Sequence, residues 1–128
     1  MNGSWQHGNI AQLNDNFTGF LPFADRITFR AIKPEGYVGD PVMFRPQGKY
    51  YFMWSGNEWT GPSYSVAYAV NSLPFGPFGR VGKVIQQDLA VGSGAGHHLV
   101  LLAPGTDKWY IVYHRRPVSD SKGNHREV

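Results

Sequence analysis

Apolar and polar residues alternate along most of this chain at the two-residue spacing of strands, and almost nowhere at the spacing of helices. Runs at 27–32 (ITFRAI), 41–45 (PVMFR), 49–55 (KYYFMWS), 64–70 (YSVAYAV) and 80–85 (RVGKVI) form one group. Two more, 98–102 (HLVLL) and 108–116 (KWYIVYHRR), follow a glycine-rich gap. Between them stand PQG, TGPS, NSLPFGPFG and APGTD, whose glycines and prolines mark tight turns. The pattern predicts an all-β protein of short antiparallel strands.

Part of the pattern repeats. Laid over GHHLVLLAPGTDKWYIVYH, the stretch GDPVMFRPQGKYYFMWS brings Gly39 onto Gly96, Asp40 onto His97, Gly48 onto Gly105, Lys49 onto Lys108 and Tyr51 onto Tyr110. Only two extra residues in the second turn are needed. The offset between Gly39 and Gly96 is 57 residues, somewhat longer than typical propeller repeats of roughly 40–50 residues. Four strands fit into that interval, which is the content of one propeller blade. The first strand of a blade lines the central channel, and its start faces the mouth. Asp40 and His97 are therefore expected at equivalent places there. Both also read as turn caps, and for Asp40 alone that reading is the better one. Two polar groups at matching repeat positions, one followed by His98, point instead to a site.

Composition narrows the classes. With 128 residues, 41% hydrophobic and 16% charged, the chain is globular and of one-domain size. The formal charge of +3 is spread out, with YHRR at 113–116 as its only cluster, so no nucleic-acid partner is expected. No run reaches the roughly 18–20 apolar residues of a membrane helix, and no membrane partner is expected. The absence of cysteine excludes disulfides, thiolate nucleophiles and Cys-bound zinc. The start, MNGSWQHGNIAQLNDNF, lacks a basic segment followed by an apolar core, so no signal peptide is read there; the compartment is left open. Phosphate loops, nucleotide fingerprints and nucleophile elbows are absent from the sequence.

From about Ile27 to Val128, several stretches in a consistent order carry a family likeness: GKYYFMWS, WTGPSYSVAYA, NSLPFGPFG, VGKVIQQD, GAGHHLV, KWYIVYHRRP and GNHR. Together they resemble glycoside hydrolase family 43, five-bladed propeller enzymes acting on arabinose- and xylose-containing plant polysaccharides. The resemblance implies a partial β-propeller of about one and a half four-stranded blades over 27–128. Residues 1–26 form an N-terminal segment, irregular or swapped. It also implies inverting hydrolysis of arabinofuranosyl or xylosyl linkages, in which acid and base carboxyls stand roughly 6.5–9.5 Å apart to admit water.

The likeness departs from the family at the acid. Where the family carries Glu-Gly-Pro this chain has GDP, with Gly39 at the glutamate position and Asp40 at the glycine position. Glu35 and Asp40 are the catalytic candidates. The base and tuning aspartates of the family belong to blades for which residues 1–26 leave no room, so the expectation is a fragment with an incomplete catalytic set. His97 matches the family histidine at the channel axis, which makes it the candidate for a central calcium, although no cofactor is required. Sugar contacts fall to Trp59 in its Gly/Pro-flanked loop, to His98, and to Arg115 as the inward member of an arginine pair, with Arg116 facing solvent. Trp54, at strand phase, is expected in the core, and His114 is read as structural. The expected ligand is an arabinose- or xylose-containing oligosaccharide; the alternative is a non-catalytic carbohydrate-binding or self-assembling module. Unpaired strand edges and bare blade faces predict a homo-oligomer.

Overall fold

The computed structural model describes residues 8–119. Nine strands follow in order: β1 Gly8–Leu13, β2 Phe20–Leu21, β3 Phe29–Ile32, β4 Tyr37–Phe44, β5 Tyr50–Gly56, β6 Ser65–Asn71, β7 Gly82–Ile85, β8 Ser93–Leu102 and β9 Trp109–Arg116. They form three antiparallel sheets, ordered β2-β1-β3, β4-β5-β6-β7 and β8-β9. One helical element, a single 3₁₀ turn at Pro46–Gly48, interrupts the β-structure of the described residues. The second sheet is the four-stranded blade expected from the sequence, and β8–β9 begins the next. The all-β, partial-propeller expectation holds.

The first sheet carries strands from both sides of residue 27. Strand β1 pairs with β3 in register Gly8↔Ile32 through Ala11↔Phe29, so the sheet crosses the boundary drawn from the sequence. Two other strands start earlier than their apolar runs suggest. Strand β8 begins at Ser93 because the GSGAG stretch is extended and its start pairs with Arg116. Glycines carry no hydrophobic signal, so the pattern alone cannot see such a segment.

Strand β5 explains how the layers are stacked. Directly opposed residues in an antiparallel pair share a face, and alternate residues change face. Phe52 lies opposite Met43 and Ala69, and Trp54 opposite Ala67. These residues join Ile32, Phe78 and Ile10 in a core between the blade and the first sheet. Phe52 stacks on Trp54 at 5.7 Å and on Phe78 at 5.1 Å. The other face, with Met53 and Phe44, turns toward β8–β9, where Phe44 meets Trp109 at 5.1 Å. Covered on both sides, β5 reads as a continuous apolar run. Truncating Phe52 to Ala would cost about 3–5 kcal/mol.

The repeat read from the sequence is reproduced residue by residue. In β4–β5 the partners are Val42↔Met53, Met43↔Phe52 and Phe44↔Tyr51. In β8–β9 they are Leu99↔Val112, Val100↔Ile111 and Leu101↔Tyr110. Each pair is the other's equivalent once the longer turn is allowed for. Gly48 and Gly105 both turn the chain with positive φ, 79° and 73°. A bulge follows Gly39 in β4 and Gly96 in β8. At these bulges Asp40 (φ 53°) and His97 (φ 46°) take the same left-handed conformation, which is uncommon outside glycine and favours Asn, Asp and His.

Candidate functional site

The two bulges point Asp40 and His97 at each other. Strands β4 and β8 pack together, and a bulge re-aims the side chain it carries. His97 Nδ1 lies 3.0 Å from Asp40 Oδ1. The second carboxylate oxygen, Oδ2, accepts the phenolic O–H of Tyr64 at 2.6 Å. The main-chain N–H of His97 donates to Ser55 Oγ at 3.0 Å. Asp40 thus stands between both repeat units with its side chain 22% exposed, whereas that of His97 is 66% exposed. A carboxylate on Nδ1 fixes the imidazole ring and leaves Nε2 for a ligand.

Tyr64 was not foreseen as part of the site. It is buried at the end of the loop between β5 and β6, and Gly96 lets it in. A Cβ on Gly96 would stand 2.2 Å from Tyr64 Cε1. Tyr64 stacks on His114 at 6.2 Å, and His114 lies 5.7 Å from His97. His114, expected to be structural, therefore belongs to the same cluster. The only clue in the sequence is the glycine opposite a tyrosine, a pairing that requires tertiary knowledge.

His98 is 5% exposed, and among the described residues neither ring nitrogen has a hydrogen-bond partner. Burial pushes its pKa down to about 4, against the attraction of Asp40 and with the help of His97. It is a neutral, buried imidazole at neutral pH. Together with His97, Leu99, Val112, Tyr113 and His114 it lines an open cavity of about 250 Å³.

The remaining candidates are placed as follows. Glu35 lies before β4 with its side chain 77% exposed, and its Oε1 is 3.4 Å from Arg80 Nη2. That setting is wet and cationic, whereas a carboxylic acid held protonated for catalysis needs dry or anionic surroundings. Glu35 and Asp40 have separate partners, and no contact brings them together. Trp59 is 50% exposed in the loop between β5 and β6, and Trp54 is in the core, as expected.

The two arginines exchange the orientations expected of them. Arg116 is 3% exposed, its Nη1 donating to Thr60 O at 2.7 Å and its Nη2 to Trp59 O at 2.6 Å. Arg115 is only partly buried, and its Nη1 donates to the carbonyl of Val91. The reason is tertiary. Alternation along β9 puts Tyr110, Val112, His114 and Arg116 on one face, and loop 57–64 covers only the far end of that face. His114 and Arg116 are buried beneath it, while Tyr110 and Val112 stay exposed.

His97 was the candidate for a central calcium, with no cofactor required. Hard cations take six to eight oxygen ligands. Around His97 the donors are one carboxylate already bonded through both oxygens, one phenol and a second imidazole. Among the described residues no group of three or more His, Asp or Glu side chains is placed to hold a metal ion. This donor set does not fit calcium.

Comparison with known proteins follows the same lines as the geometry. The family model for glycosyl hydrolases family 43 matches residues 2–128, which takes in the N-terminal segment as well. A β-D-galactofuranosidase of Aspergillus niger is 38% identical over 125 residues, 97% of this chain and 35% of that protein. A thermostable family-43 glycoside hydrolase of known structure superposes with a TM-score of 0.75 at 22% identity, over 94% of this chain and 41% of its own. A β-xylosidase/α-arabinofuranosidase from a compost metagenome, solved with xylotriose in a calcium-free form, gives 0.64 at 25% identity over 94% of this chain and 37% of its own. This chain spans between a third and a half of the length of these relatives.

Proposed function

Because the chain belongs to family 43 of the glycosyl hydrolases, we propose that it acts in the inverting hydrolysis of arabinofuranosyl or xylosyl linkages and contributes sugar-binding residues to that reaction. The observation that carries this reading is the Tyr64–Asp40–His97 network joining equivalent bulges of two repeat units. Asp40 holds His97 so that Nε2 can reach a sugar hydroxyl. Trp59 offers its ring as a stacking face. His98 and Arg115 complete the proposed sugar contacts, His98 through the cavity it lines and Arg115 beside Val91.

In this reading Asp40 orients and does not donate a proton, because both its oxygens serve as acceptors. Glu35, the other candidate for the acid, is turned to Arg80 and to solvent. A second reading, carbohydrate binding without turnover, is favoured by the settings of the two acid candidates: Glu35 is exposed beside a cation, and Asp40 accepts through both oxygens.

Two measurements separate the readings. Nitrophenol release from the α-L-arabinofuranoside, β-D-xyloside and β-D-galactofuranoside tests turnover, the last because of the name carried by the Aspergillus relative. Calorimetric titration with xylotriose tests binding. Turnover supports hydrolysis, and saturable binding without turnover supports the second reading. Tyr64→Phe should weaken binding in either case, because it removes the hydrogen bond that fixes Asp40, and should destabilise the fold by about 1.5–3 kcal/mol, the typical worth of a hydrogen bond to a charged group. Neither turnover nor binding would overturn both.

A further inference from the structure

A buried arginine is a costly way to hold a loop. An apolar side chain of similar volume often gives equal or better stability, so a retained buried charge asks for another reason. Arg116 is such a residue, and its partners are two consecutive main-chain carbonyls, Trp59 O and Thr60 O, on the neighbouring repeat unit. The planar fork of a guanidinium can bond two acceptors in fixed relation, which a lysine cannot. Those carbonyls belong to the peptide planes that follow Trp59.

The surroundings are built for the contact. Gly94 has φ 57°, and a Cβ there would lie 3.0 Å from Arg116 Cζ. The Gly94 N–H also donates to Pro62 O at 2.9 Å. The loop's own ends are tied by Asn57 Nδ2, which donates to Ser63 O at 2.7 Å. At its far end Tyr64 bonds Asp40. The second repeat unit thus grips the loop at residues 59, 60 and 62, between the exposed Trp59 ring and the Asp40–His97 pair.

We propose that Arg116 is a positioning residue that sets the Trp59 ring relative to the Tyr64–Asp40–His97 network, and so tunes affinity for a xylose-type oligosaccharide. This rests on the carbohydrate reading above, and the test keeps the two apart. Xylotriose binding is measured by calorimetry for the parent chain, Trp59→Ala, Arg116→Lys and the double variant. Arg116→Lys keeps the charge but loses the fork. It should weaken binding on the order of ten-fold, comparable to Trp59→Ala, with little further loss in the double variant because both act through one group. Acrylamide quenching of the Trp59 emission, taken as the difference from Trp59→Phe, should rise in Arg116→Lys. Gly94→Ala, which displaces the guanidinium while keeping the arginine, should weaken binding in the same direction and guards against a fold-specific failure of the lysine variant.

If Trp59→Ala weakens binding and Arg116→Lys does not, the positioning role is overturned and the carbohydrate reading stands. Fully additive losses in the double variant also overturn it, since they place the effect of Arg116 elsewhere. If Trp59→Ala binds like the parent, or the parent binds no xylotriose, the sugar platform itself falls.

Discussion

Between pH 6.5 and 4 the protein should lose stability through His98, by an amount that follows from its surroundings. The ring is buried without hydrogen-bond partners among the described residues, and burial holds its pKa at about 4 in the folded chain. In the unfolded chain it returns to about 6.5. At intermediate pH the unfolded state therefore binds a proton that the native state refuses. Stability is full above about 6.5, falls as the pH drops through this window, and levels off below about 4, where both states are protonated. The gap corresponds to a loss of up to about 3 kcal/mol.

Urea titrations at pH 7, 6, 5 and 4 would measure it. With a slope of roughly 1.5 kcal/mol per molar urea, the midpoint should fall by about 2 M from His98 alone. The parallel series on His98→Phe, which keeps a ring and cannot titrate, removes this part and leaves the contribution of the carboxylates common to both proteins. The midpoints of the two proteins should converge as the pH falls if the parent starts higher, or cross if it starts near the variant. Equal pH slopes in the two series would refute the neutral, buried imidazole.

Two further outcomes follow from the packing. Gly96→Ala places a Cβ 2.2 Å from the Tyr64 ring and should destabilise by about 1–3 kcal/mol; thermal unfolding reads this, and an unchanged midpoint would mean that Tyr64 moves freely. The chain should also self-associate through the face of β8–β9 that carries exposed Leu99, Leu101, Tyr110 and Val112. Sedimentation should show a larger species that Leu101→Lys converts to monomer, and a parent chain monomeric at high concentration would remove the idea.

The repeat was legible in the sequence because it is written in backbone needs as well as in side chains. Matching glycines at 39 and 96, and at 48 and 105, fix turns and bulges at equivalent places. That is enough to bring residues 40 and 97 together. What stayed hidden depends on contacts between distant segments. Tyr64 looks like one more strand tyrosine until Gly96 is seen opposite it. Arg115 and Arg116 cannot be told apart by alternation alone, because loop 57–64 decides which face of β9 is covered. Glu35 is drawn to Arg80, a partner 45 positions away in the chain. The strands of residues 8–21, Gly8–Leu13 and the two-residue Phe20–Leu21, are too short to show a pattern of their own, and they form by pairing with β3 and with each other.

The left-handed backbone at residues 40 and 97 sets an alphabet for variation at the two facing bulges. Branched and bulky side chains are strained there, whereas Gly, Asn, Asp and His are accommodated. Replacements that survive at these two places are therefore drawn from small donors and acceptors. A chain built this way can exchange an acid for an amide or an imidazole at these bulges without repacking the strands beneath, so its chemistry can drift while its architecture stays put.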